Sequence, residues 1–476
     1  MRVLSLAFAL ISIAISAQAQ TSADDLNRRL IQSRAVEAMI WGMPAVNTDL
    51  MRQEMLTKTP GKVNQFIYWG RPLDSKNQTL TPNPDTLYFM AFYDTKAAGP
   101  MVLEVPPGDE TGSLNGNIVT VWQSSLEDVG LLGIDHGAGG KFVILPPGHK
   151  DAVPDGYSIL RSDTYGGYAL VRSNLRSRSD ADVAASIAYA KRVKFYPLSA
   201  AASPPETVFT DVKDVSFDST IRYDASFYRS LDRVVQGEPW IERDRAMIDQ
   251  LRSIGIEKGK PFNPDAKMQA ILTAAIGDAK VLLEQRYDAG FPVFYPGTHW
   301  TMPALTEAVD GQSSTYANPD KYAVDARGVA YTYAYIAIKR LGAGQFYLIS
   351  IRDKDAQDYD GSKNYRLRVP PDVPVAQYWS VTAYDRETHA LIKNMPRASR
   401  ASNASDLQKN ADGSVDIYFG PKAPVGNESN WVPTDPARKF ELMARFYAPK
   451  KEYFEKKWAL PDVEKIDVTV GTGAAK

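Results

Sequence analysis

The sequence contains no cysteine and only four histidines among its 476 residues. The absence of thiols excludes disulfides and thiolate metal ligands, so the stability of the protein must come from its buried core. No H-E-x-x-H or G-x-S-x-G sequence occurs, which disfavours a helical zinc site and a standard α/β-hydrolase. A Ser–His–Asp triad assembled from separate loops is an alternative that the sequence does not exclude, because such triads are recognised by their geometry. A metal bound by dispersed histidines is also left open; these are His136, His149, His299 and His389.

Neither the charge nor the sequence motifs indicate a nucleic acid, a nucleotide or an organic cofactor. The formal net charge is −1, so the chain lacks the basic excess of proteins that bind nucleic acids. Residues 136–141 resemble a phosphate loop, but Asp135 and Phe142 replace the glycine and the hydroxyl residue that such a loop requires. The acidic run at 353–361 departs from a calcium loop and predicts a hairpin, with a nonstandard calcium site as the alternative. No cofactor is predicted.

The first residues have the organisation of a secretion signal. Arg2 is followed by an apolar stretch at residues 3–15 and by the small-x-small sequence Ala17-Gln18-Ala19. We expect cleavage near Ala19, so that the mature chain begins at Gln20 and is periplasmic or secreted; a buried helix is the alternative. No later run approaches the roughly 18 apolar residues of a membrane helix, so no span is predicted in the mature chain.

Residue patterns typical of helices alternate along the sequence with patterns typical of strands, which predicts an α+β fold. Short apolar runs between Pro, Gly and Asp clusters are typical of antiparallel sheets, and longer periodic runs are typical of helices. The predicted segments are a signal peptide at 1–19, a helical segment at 20–60, a first β-sandwich domain at 61–200, a helical middle region at 201–342 and a second β-sandwich domain at 343–470.

Local signals predict three helix boundaries. Pro44 is expected to end or kink the first helix. Asn263 and Pro264 are suited to the cap and first position of a helix that runs to about Arg286. The nearly all-apolar stretch at 326–342 predicts a buried helix.

The most distinctive sequence is Thr81-Pro-Asn-Pro-Asp-Thr-Leu-Tyr88, in which two prolines restrict the backbone around polar side chains. It resembles the signature of domain-of-unknown-function family 1254. Residues 345–448 resemble its usual partner, family 1214. The motifs that carry this second resemblance are Tyr378-Trp-Ser380, Asp412-Gly-Ser-Val-Asp-Ile-Tyr418, Asn427 to Trp431 and Arg445-Phe-Tyr447.

This resemblance covers most of residues 35–465 and links the chain to exported bacterial proteins of uncharacterised activity. It implies two antiparallel, jelly-roll-like β-sandwich domains with helical additions, and often a homo-oligomer. It supplies no reaction and no catalytic role, so candidate residues must be argued from their own chemistry.

The first candidate group lies in the proline-restricted motif and comprises Asn83, Asp85, Thr86 and Tyr88. Few conformations are open to these side chains, which favours a binding site. Asp85 is the candidate catalytic carboxylate, and the other three are candidate substrate ligands. Hydrogen bonds within the turn are the alternative.

Two further groups combine an aromatic residue with a titratable one. Trp122 precedes Glu127 and Asp128, either of which could act as a general base if burial raised its pKa; a loop salt bridge is the alternative. His299 and Trp300 follow a Pro-Gly turn, and His299 is a candidate proton shuttle; an exposed loop histidine is the alternative.

These observations favour an exported, cofactor-independent enzyme that acts on a small polar molecule such as a polyol, sugar or carboxylated compound. Carboxylate or histidine acid–base chemistry is expected to carry the reaction. A periplasmic small-molecule or carbohydrate-binding protein without turnover is the first alternative, since β-sandwiches serve binding proteins as readily as enzymes. A structural or assembly factor of the envelope is the second.

Overall fold

The computed structural model of the protein describes residues 22–335, 339–340 and 344–467, so the predicted signal peptide lies outside the described residues. The helices are α1 Ala23–Lys58, α2 Thr95–Ala98, α3 Asp180–Ala190, α4 Ser226–Gly237, α5 Met247–Ser253, α6 Ala266–Gly290, α7 Thr306–Ser313, α8 Val324–Tyr333 and α9 Lys451–Phe454. The strands of the N-terminal half are β1 Phe66–Tyr68, β2 Asn77–Gln78, β3 Leu87–Asp94, β4 Met101–Val105, β5 Leu114–Thr120, β6 Ser125–Gly130, β7 Gly140–Leu145, β8 Ser158–Arg161, β9 Gly166–Ser173, β10 Lys194–Pro197, β11 Phe209–Asp211 and β12 Phe217–Asp218. The strands of the C-terminal half are β13 Gln345–Ser350, β14 Asn364–Val369, β15 Trp379–Asp385, β16 Ser399–Ala401, β17 Val415–Gly420, β18 Trp431–Pro433, β19 Phe440–Tyr447 and β20 Glu464–Ile466. The fold is mixed α+β.

Two sheets of the N-terminal half share one hydrophobic core. The larger sheet has the strand order β11-β1-β3-β9-β5-β6, and the smaller has the order β10-β4-β7-β8. Side chains alternate between the two faces of a strand, and one face of each sheet contributes to this core through residues such as Phe89, Leu103 and Phe142. We call this pair of sheets the N-terminal β unit.

The C-terminal half repeats the arrangement with two four-stranded sheets. Their orders are β13-β19-β15-β16 and β18-β17-β14-β20. Leu442 of the first sheet meets Leu367 and Ile417 of the second in a shared core. We call this pair the C-terminal β unit.

The sheets are not purely antiparallel, which corrects the predicted antiparallel architecture. The parallel pairs are β1 with β11, β2 with β12, β7 with β8 and β17 with β18. Gly, Pro and Asp clusters signal the tight turns of antiparallel hairpins. A parallel partner is reached by a longer connection, and the strand at which that connection ends has no local signature in the sequence.

Helices α1, α4, α5, α6 and α8 form a third core with the outer faces of the larger N-terminal sheet and the β13-β19-β15-β16 sheet. Trp41 of α1, Leu231 of α4, Phe92 of β3 and Met443 of β19 all belong to this core. As a result, β3, β9 and β19 are buried along nearly their whole length, because each is covered on both faces. This central core places the two β units and the helices around one shared space.

Helix α1 continues through Pro44 instead of ending there. Proline lacks an N–H, so the carbonyl of Ile40 loses its usual helical partner. Gly328 of α8 packs directly on this point, where an added Cβ would lie 2.9 Å from the Ile40 oxygen. The close contact with α8 holds α1 in place across the proline.

Two other helix boundaries differ from the prediction. The cap of α6 is Asp265, whose side chain accepts from the N–H of Met268, and not Asn263. Helix α8 ends at Tyr333, well before the predicted end near residue 342, and residues 336–338 and 341–343 of that prediction lie outside the described residues. Among the helices that are described, none combines the length and apolarity needed to span a membrane.

Candidate functional site

A cavity of about 380 Å³ lies where the two β units meet α7 and α8. We call it the central cavity. Its wall is largely apolar and includes Met302, Leu305, Val309 and Met443. Its polar side chains include Thr81, Asn83, Tyr88, Arg172, Gln312, Arg327, Tyr331, Tyr333, Tyr335, Tyr347 and Arg445. An apolar cavity with a few placed polar groups is the common form of a small-molecule site.

The register of the two central sheets brings an arginine and a tyrosine together on each side of the cavity. Tyr88 of β3 is paired directly with Arg172 of β9, and Tyr347 of β13 is paired with Arg445 of β19. Directly paired residues of antiparallel strands share a face. The guanidiniums lie 5.6 Å from the Tyr88 ring and 5.3 Å from the Tyr347 ring, within the range of cation–π attraction.

Arg445 is 2% exposed and donates hydrogen bonds only to neutral acceptors. These are the hydroxyl of Thr382 at 3.0 Å, the hydroxyl of Tyr384 at 2.6 Å and the backbone carbonyl of Thr81 at 2.9 Å. Its Nε has no partner within the described residues. The guanidinium is therefore fixed in position, but its charge is not neutralised by these contacts.

Arg172 is also buried and donates to Oδ1 of Asn117 at 3.0 Å. Asn117 in turn donates to Asp128 at 2.7 Å, and Asp128 also accepts from the backbone N–H groups of residues 339 and 340 at 2.9 and 2.7 Å. Burial raises the pKa of Asp128, and these hydrogen bonds oppose the rise. An amide therefore separates Arg172 from this carboxylate.

Arg327 of α8 is the third buried guanidinium of the central cavity, at 2% exposure. It donates to the carbonyl of Trp122 at 2.6 Å and to the hydroxyl of Tyr322. The rings of Tyr316 and Tyr322 lie 4.8 and 5.0 Å from its guanidinium carbon. Once again the partners are aromatic rings and neutral oxygens.

None of these three arginines forms a direct ion pair with a carboxylate among the residues that the structure describes. Arg400 shows the usual solution for a buried arginine elsewhere in the protein, since its side chain pairs with Asp406 at 2.7 Å. A buried charge without a counterion costs several kcal/mol. The central cavity therefore combines three guanidiniums that lack a directly paired carboxylate with an apolar wall.

Tyrosine hydroxyls complete the polar lining. Burial raises the pKa of Tyr331, Tyr335 and Tyr347, so their hydroxyls stay protonated at neutral pH and can donate hydrogen bonds. Tyr331 already donates to the carbonyl of Gln123 at 3.0 Å. The site thus combines guanidinium and phenol donors, a combination suited to an anionic oxygen.

The proline-restricted motif is divided between the cavity and the core. Asn83 and Tyr88 line the cavity, and the Tyr88 hydroxyl accepts from the N–H of Asn83 at 3.0 Å. Asp85 is buried against Arg178 at 2.8 Å and accepts from Ser399 at 2.7 Å. Thr86 donates to a backbone carbonyl of β9. Two of the four candidates therefore face the central cavity, and two tie the motif to its surroundings.

Glu127 and Asp128 contact the short described segment at 339–340. Glu127 accepts from the Arg340 guanidinium at 3.0 Å, and Asp128 accepts from backbone N–H groups there, as described above. Trp122 packs against Trp41 with ring centres 4.4 Å apart, and its carbonyl accepts from Arg327 at 2.6 Å. The structure places these three residues beside the site and not in its lining.

His299 and Trp300 lie away from the central cavity. His299 Nδ1 is 3.0 Å from Asp462 Oδ2, and its N–H donates to Asp462 Oδ1 at 2.7 Å. Trp300 is fully buried in the core of the C-terminal β unit and donates to the carbonyl of Pro461 at 2.9 Å. His299 and Trp300 are thus not brought together with the candidates of the N-terminal half.

Sequence reasoning missed Arg172, Arg327 and Arg445. A signal was present in two of them, because Arg172 is the one charged residue of β9 and Arg445 lies in β19, which is apolar apart from Arg445 and Glu441. A charge in a doubly covered strand requires a partner. Within the described ranges, no group of three or more His, Cys, Asp or Glu residues has the geometry to hold a metal ion.

Two separate segments of the chain match known protein families. Residues 63–197 match the family described as "Protein of unknown function (DUF1254)", and residues 344–451 match "Protein of unknown function (DUF1214)". One segment of the chain thus matches each of these two families. The resemblance expected from the sequence motifs is confirmed, including the order of the two domains.

Two solved structures are similar to this chain. The VPA0106 protein from Vibrio parahaemolyticus has a TM-score of 0.54 and 19% identity, with 92% of this chain and 100% of that chain covered. An uncharacterised protein from Burkholderia cenocepacia has a TM-score of 0.39 and 12% identity, with 93% and 96% covered. The first likeness shows a shared fold alone. No curated protein matches the sequence.

The central cavity draws on both families at once. The DUF1254 match contains Tyr88 and Arg172, whereas the DUF1214 match contains Tyr347 and Arg445. Arg327 comes from α8, between the two matched segments. Neither family alone supplies the whole lining.

Proposed function

We propose that this protein binds a small organic anion, a carboxylate with an apolar body, in the central cavity. The observation that carries the proposal is the convergence of Arg172, Arg327 and Arg445 on one cavity without a directly paired carboxylate. The desolvation cost of each charge is not offset by a directly paired carboxylate of the protein, so a ligand that brings the missing negative charge is favoured.

The kind of anion follows from the donors. A guanidinium presents N–H groups in a planar fork that matches a carboxylate, and charge-assisted bonds of this kind are among the strongest in proteins. Arg172 and Arg445 stand beside Tyr88 and Tyr347, so the acid group can receive bonds from guanidinium and phenol donors together.

The remainder of the ligand is inferred from the wall. Met302, Leu305, Val309 and Met443 offer no hydrogen-bonding partner of ordinary strength, so an alkyl or aromatic body is better accommodated than a polyol. A volume of about 380 Å³ is at the lower end of the range of small-molecule sites. These features favour the carboxylated class of compound over the sugar or polyol in this cavity.

Binding without turnover is better supported here than the expected acid–base enzyme. The groups that line the cavity are guanidinium, amide and phenol groups, which orient a ligand but hold their protons at neutral pH. The predicted acid–base candidates are engaged elsewhere: Asp85 with Arg178, and Glu127 with Arg340. The enzyme hypothesis stays a prediction.

We also retain the finer structural and cellular predictions as part of this proposal. Each β unit is proposed to be a sandwich related to the jelly roll, and the chain is proposed to be exported after cleavage near Ala19. A soluble anion-binding protein is compatible with either the periplasm or the medium. The homo-oligomer implied by the family resemblance likewise stays a prediction.

The proposal is tested by comparing acids with their amides. 3-Phenylpropionate and octanoate are expected to raise the melting temperature, whereas 3-phenylpropionamide and octanamide are not, because only the acids neutralise the arginines. At one hundred times the dissociation constant, binding adds about 2.7 kcal/mol to the free energy of unfolding. Differential scanning calorimetry measures the shift.

The matched variants are Arg172→Met, inside the cavity, and Arg245→Met, which removes an arginine that is exposed and paired with Glu242 at 3.3 Å. The first is expected to abolish the stabilisation by the acids and the second to preserve it. Equal stabilisation by acids and amides, or equal loss in both variants, contradicts the proposal.

A further inference from the structure

A second polar cluster lies on the same face of β19 as Arg445, four residues earlier along the strand. Glu441 is fully buried there. One carboxylate oxygen lies 2.8 Å from Nδ1 of His389, and the other accepts from the hydroxyl of Tyr287 at 2.7 Å. A strand, a loop and the helix α6 thus each provide one member of a carboxylate, imidazole and phenol group.

The imidazole of His389 is held in one orientation. Its backbone has φ of 54°, in the left-handed region that non-glycine residues rarely occupy. Its N–H donates to the carbonyl of Asp385 at 2.8 Å, and its own carbonyl accepts from the N–H of Thr81 at 2.6 Å. A costly backbone conformation fixed by such bonds is a feature of functional positions.

The surroundings of Glu441 define which nitrogen of His389 is free. Tyr287 and Tyr333 are buried beside it, and burial raises the pKa of both, so Tyr287 is the donor in its bond to Glu441. The guanidinium of Arg386 lies 3.8 Å from the same carboxylate. A carboxylate beside Nδ1 selects the tautomer in which Nδ1 carries the proton, which leaves a lone pair on Nε2.

His389 lines a cavity of about 320 Å³, which we call the lateral cavity. Nε2 has no hydrogen-bond partner in the described part of the chain. The wall also includes Thr332 and Thr388, whose hydroxyls can serve a polar ligand. An oriented base therefore stands at the edge of a space large enough for a small molecule.

The charged residues of the lateral cavity balance one another, unlike the arginines of the central cavity. Arg222 and Lys280 are basic, whereas Asp224 and Glu387 are acidic. Arg222 pairs with Asp218 at 3.3 Å, Lys280 with Glu284 at 3.6 Å and Glu387 with Arg438 at 2.9 Å, and Asp224 accepts from the backbone N–H of Ser226 at 2.8 Å. The formal charges of the lining side chains therefore sum to zero. This lining favours an uncharged, hydroxylated compound.

We propose that the lateral cavity is a proton-transfer site for a small uncharged polyhydroxyl compound, with His389 as the base and Glu441 as its positioning partner. In this step the proton of a ligand hydroxyl moves to Nε2, and no bond between heavy atoms is made or broken. Glu441 accepts from Nδ1–H and orients the imidazole, and Tyr287 fixes Glu441 through its own hydrogen bond. The geometry has the base and the orienting acid of a catalytic triad, with the ligand providing the hydroxyl.

The free Nε2 is tested with diethyl pyrocarbonate at pH 8, followed by mass spectrometry of each histidine. Nε2 attacks a carbonyl carbon of the reagent, a carbethoxy–nitrogen bond forms, and the leaving ethyl carbonate breaks down to carbon dioxide and ethanol. His299 is an internal control, because its Nδ1 also faces a carboxylate, that of Asp462, at 3.0 Å. His389 is expected to react at least as fast as His299 despite its burial.

The positioning role is tested with Glu441→Gln and Tyr287→Phe. Glu441→Gln is expected to slow the modification of His389 about tenfold, because a charged hydrogen-bond partner is lost, and to leave His299 unchanged. Tyr287→Phe keeps the Glu441–His389 hydrogen bond and is expected to slow the modification of His389 about threefold. This variant therefore preserves the test if Glu441→Gln does not fold. An unreactive His389 in the folded protein, or rates in both variants within twofold of wild type, overturns the assignment.

The ligand class is tested by protection. Erythritol and glucose are expected to slow the modification of His389 but not of His299, whereas octanoate, the probe for the central cavity, is expected to have no effect on His389. Protection by octanoate and not by either polyol overturns the proposed ligand class, and so does the absence of protection by both polyols. Neither result bears on anion binding in the central cavity.

Discussion

Replacing Arg445 by methionine separates a binding role from a structural one. The three hydrogen bonds of Arg445, at roughly 1.5–3 kcal/mol each for a charged donor, favour the folded state by about 4.5–9 kcal/mol. The desolvation of an unpaired guanidinium opposes them by several kcal/mol. Methionine removes both contributions and keeps most of the apolar volume. The free energy of unfolding without ligand is therefore expected to change by less than about 2 kcal/mol.

The same substitution is expected to abolish most of the ligand affinity. Truncating one partner of a buried charge pair costs about 2–5 kcal/mol, which corresponds to a loss of at least roughly thirtyfold in affinity for octanoate. Urea unfolding with and without octanoate measures both quantities in one experiment. The Tyr384 hydroxyl retains its bond to the carbonyl of Pro82 at 2.7 Å, so the Thr81 carbonyl is the main group left without its donor.

The reasoning is refuted by the opposite pattern. If Arg445→Met lowers the free energy of unfolding by more than about 4 kcal/mol and octanoate still stabilises the variant as it does the wild type, Arg445 is a structural residue. The buried charge is then compensated by the fold itself, and the three arginines no longer indicate an anionic ligand.

Three further substitutions test other parts of the structure. Burial raises the pKa of Asp128, so its contribution to stability is present below its ordinary pKa of about 3.9 and is lost as the pH rises through the higher folded value. Asp128→Asn should therefore gain stability relative to wild type in urea unfolding as the pH increases from about 4 to 8. A stability difference between the two proteins that does not depend on pH contradicts this. Gly328→Ala should lower the free energy of unfolding by roughly 1–3 kcal/mol, because its Cβ would lie 2.9 Å from the Ile40 carbonyl. The added Cβ of Gly277→Ala in α6 meets nothing within 4 Å, so this change should raise the free energy of unfolding by up to about 1 kcal/mol. Equal effects of the two glycine substitutions on the free energy of unfolding contradict the packing argument.

The broad architecture could be predicted because it rests on local patterns. Turn residues at short spacing separate the strands of the two β units, and periodic apolar residues mark α1 and α6. Two helix boundaries show where a local signal is not decisive. Pro44 is expected to end or kink α1, but it does not end the helix, which packs there against Gly328 of α8. Asp265 caps α6 in place of Asn263, because its side chain accepts from the N–H of Met268.

The candidate site was less predictable because its members are distant in sequence. Asn83 and Tyr88 were identified from their unusual motif. Arg172 and Arg445 belong to different β units, and only the pairing of their strands with Tyr88 and Tyr347 brings them to one cavity. Such convergence depends on strand register and on the packing of the two β units, neither of which the sequence specifies locally.

The central core also has a consequence for the order of folding. It joins Ala35 of α1 to Met443 of β19, so contacts that enclose the binding space span almost the whole chain. Closing such long loops is entropically expensive and slow. A nascent chain that has not yet released β19 lacks the part of the cavity wall formed by Met443 and Arg445, and the protein therefore acquires its complete binding space only after β19 has been synthesised.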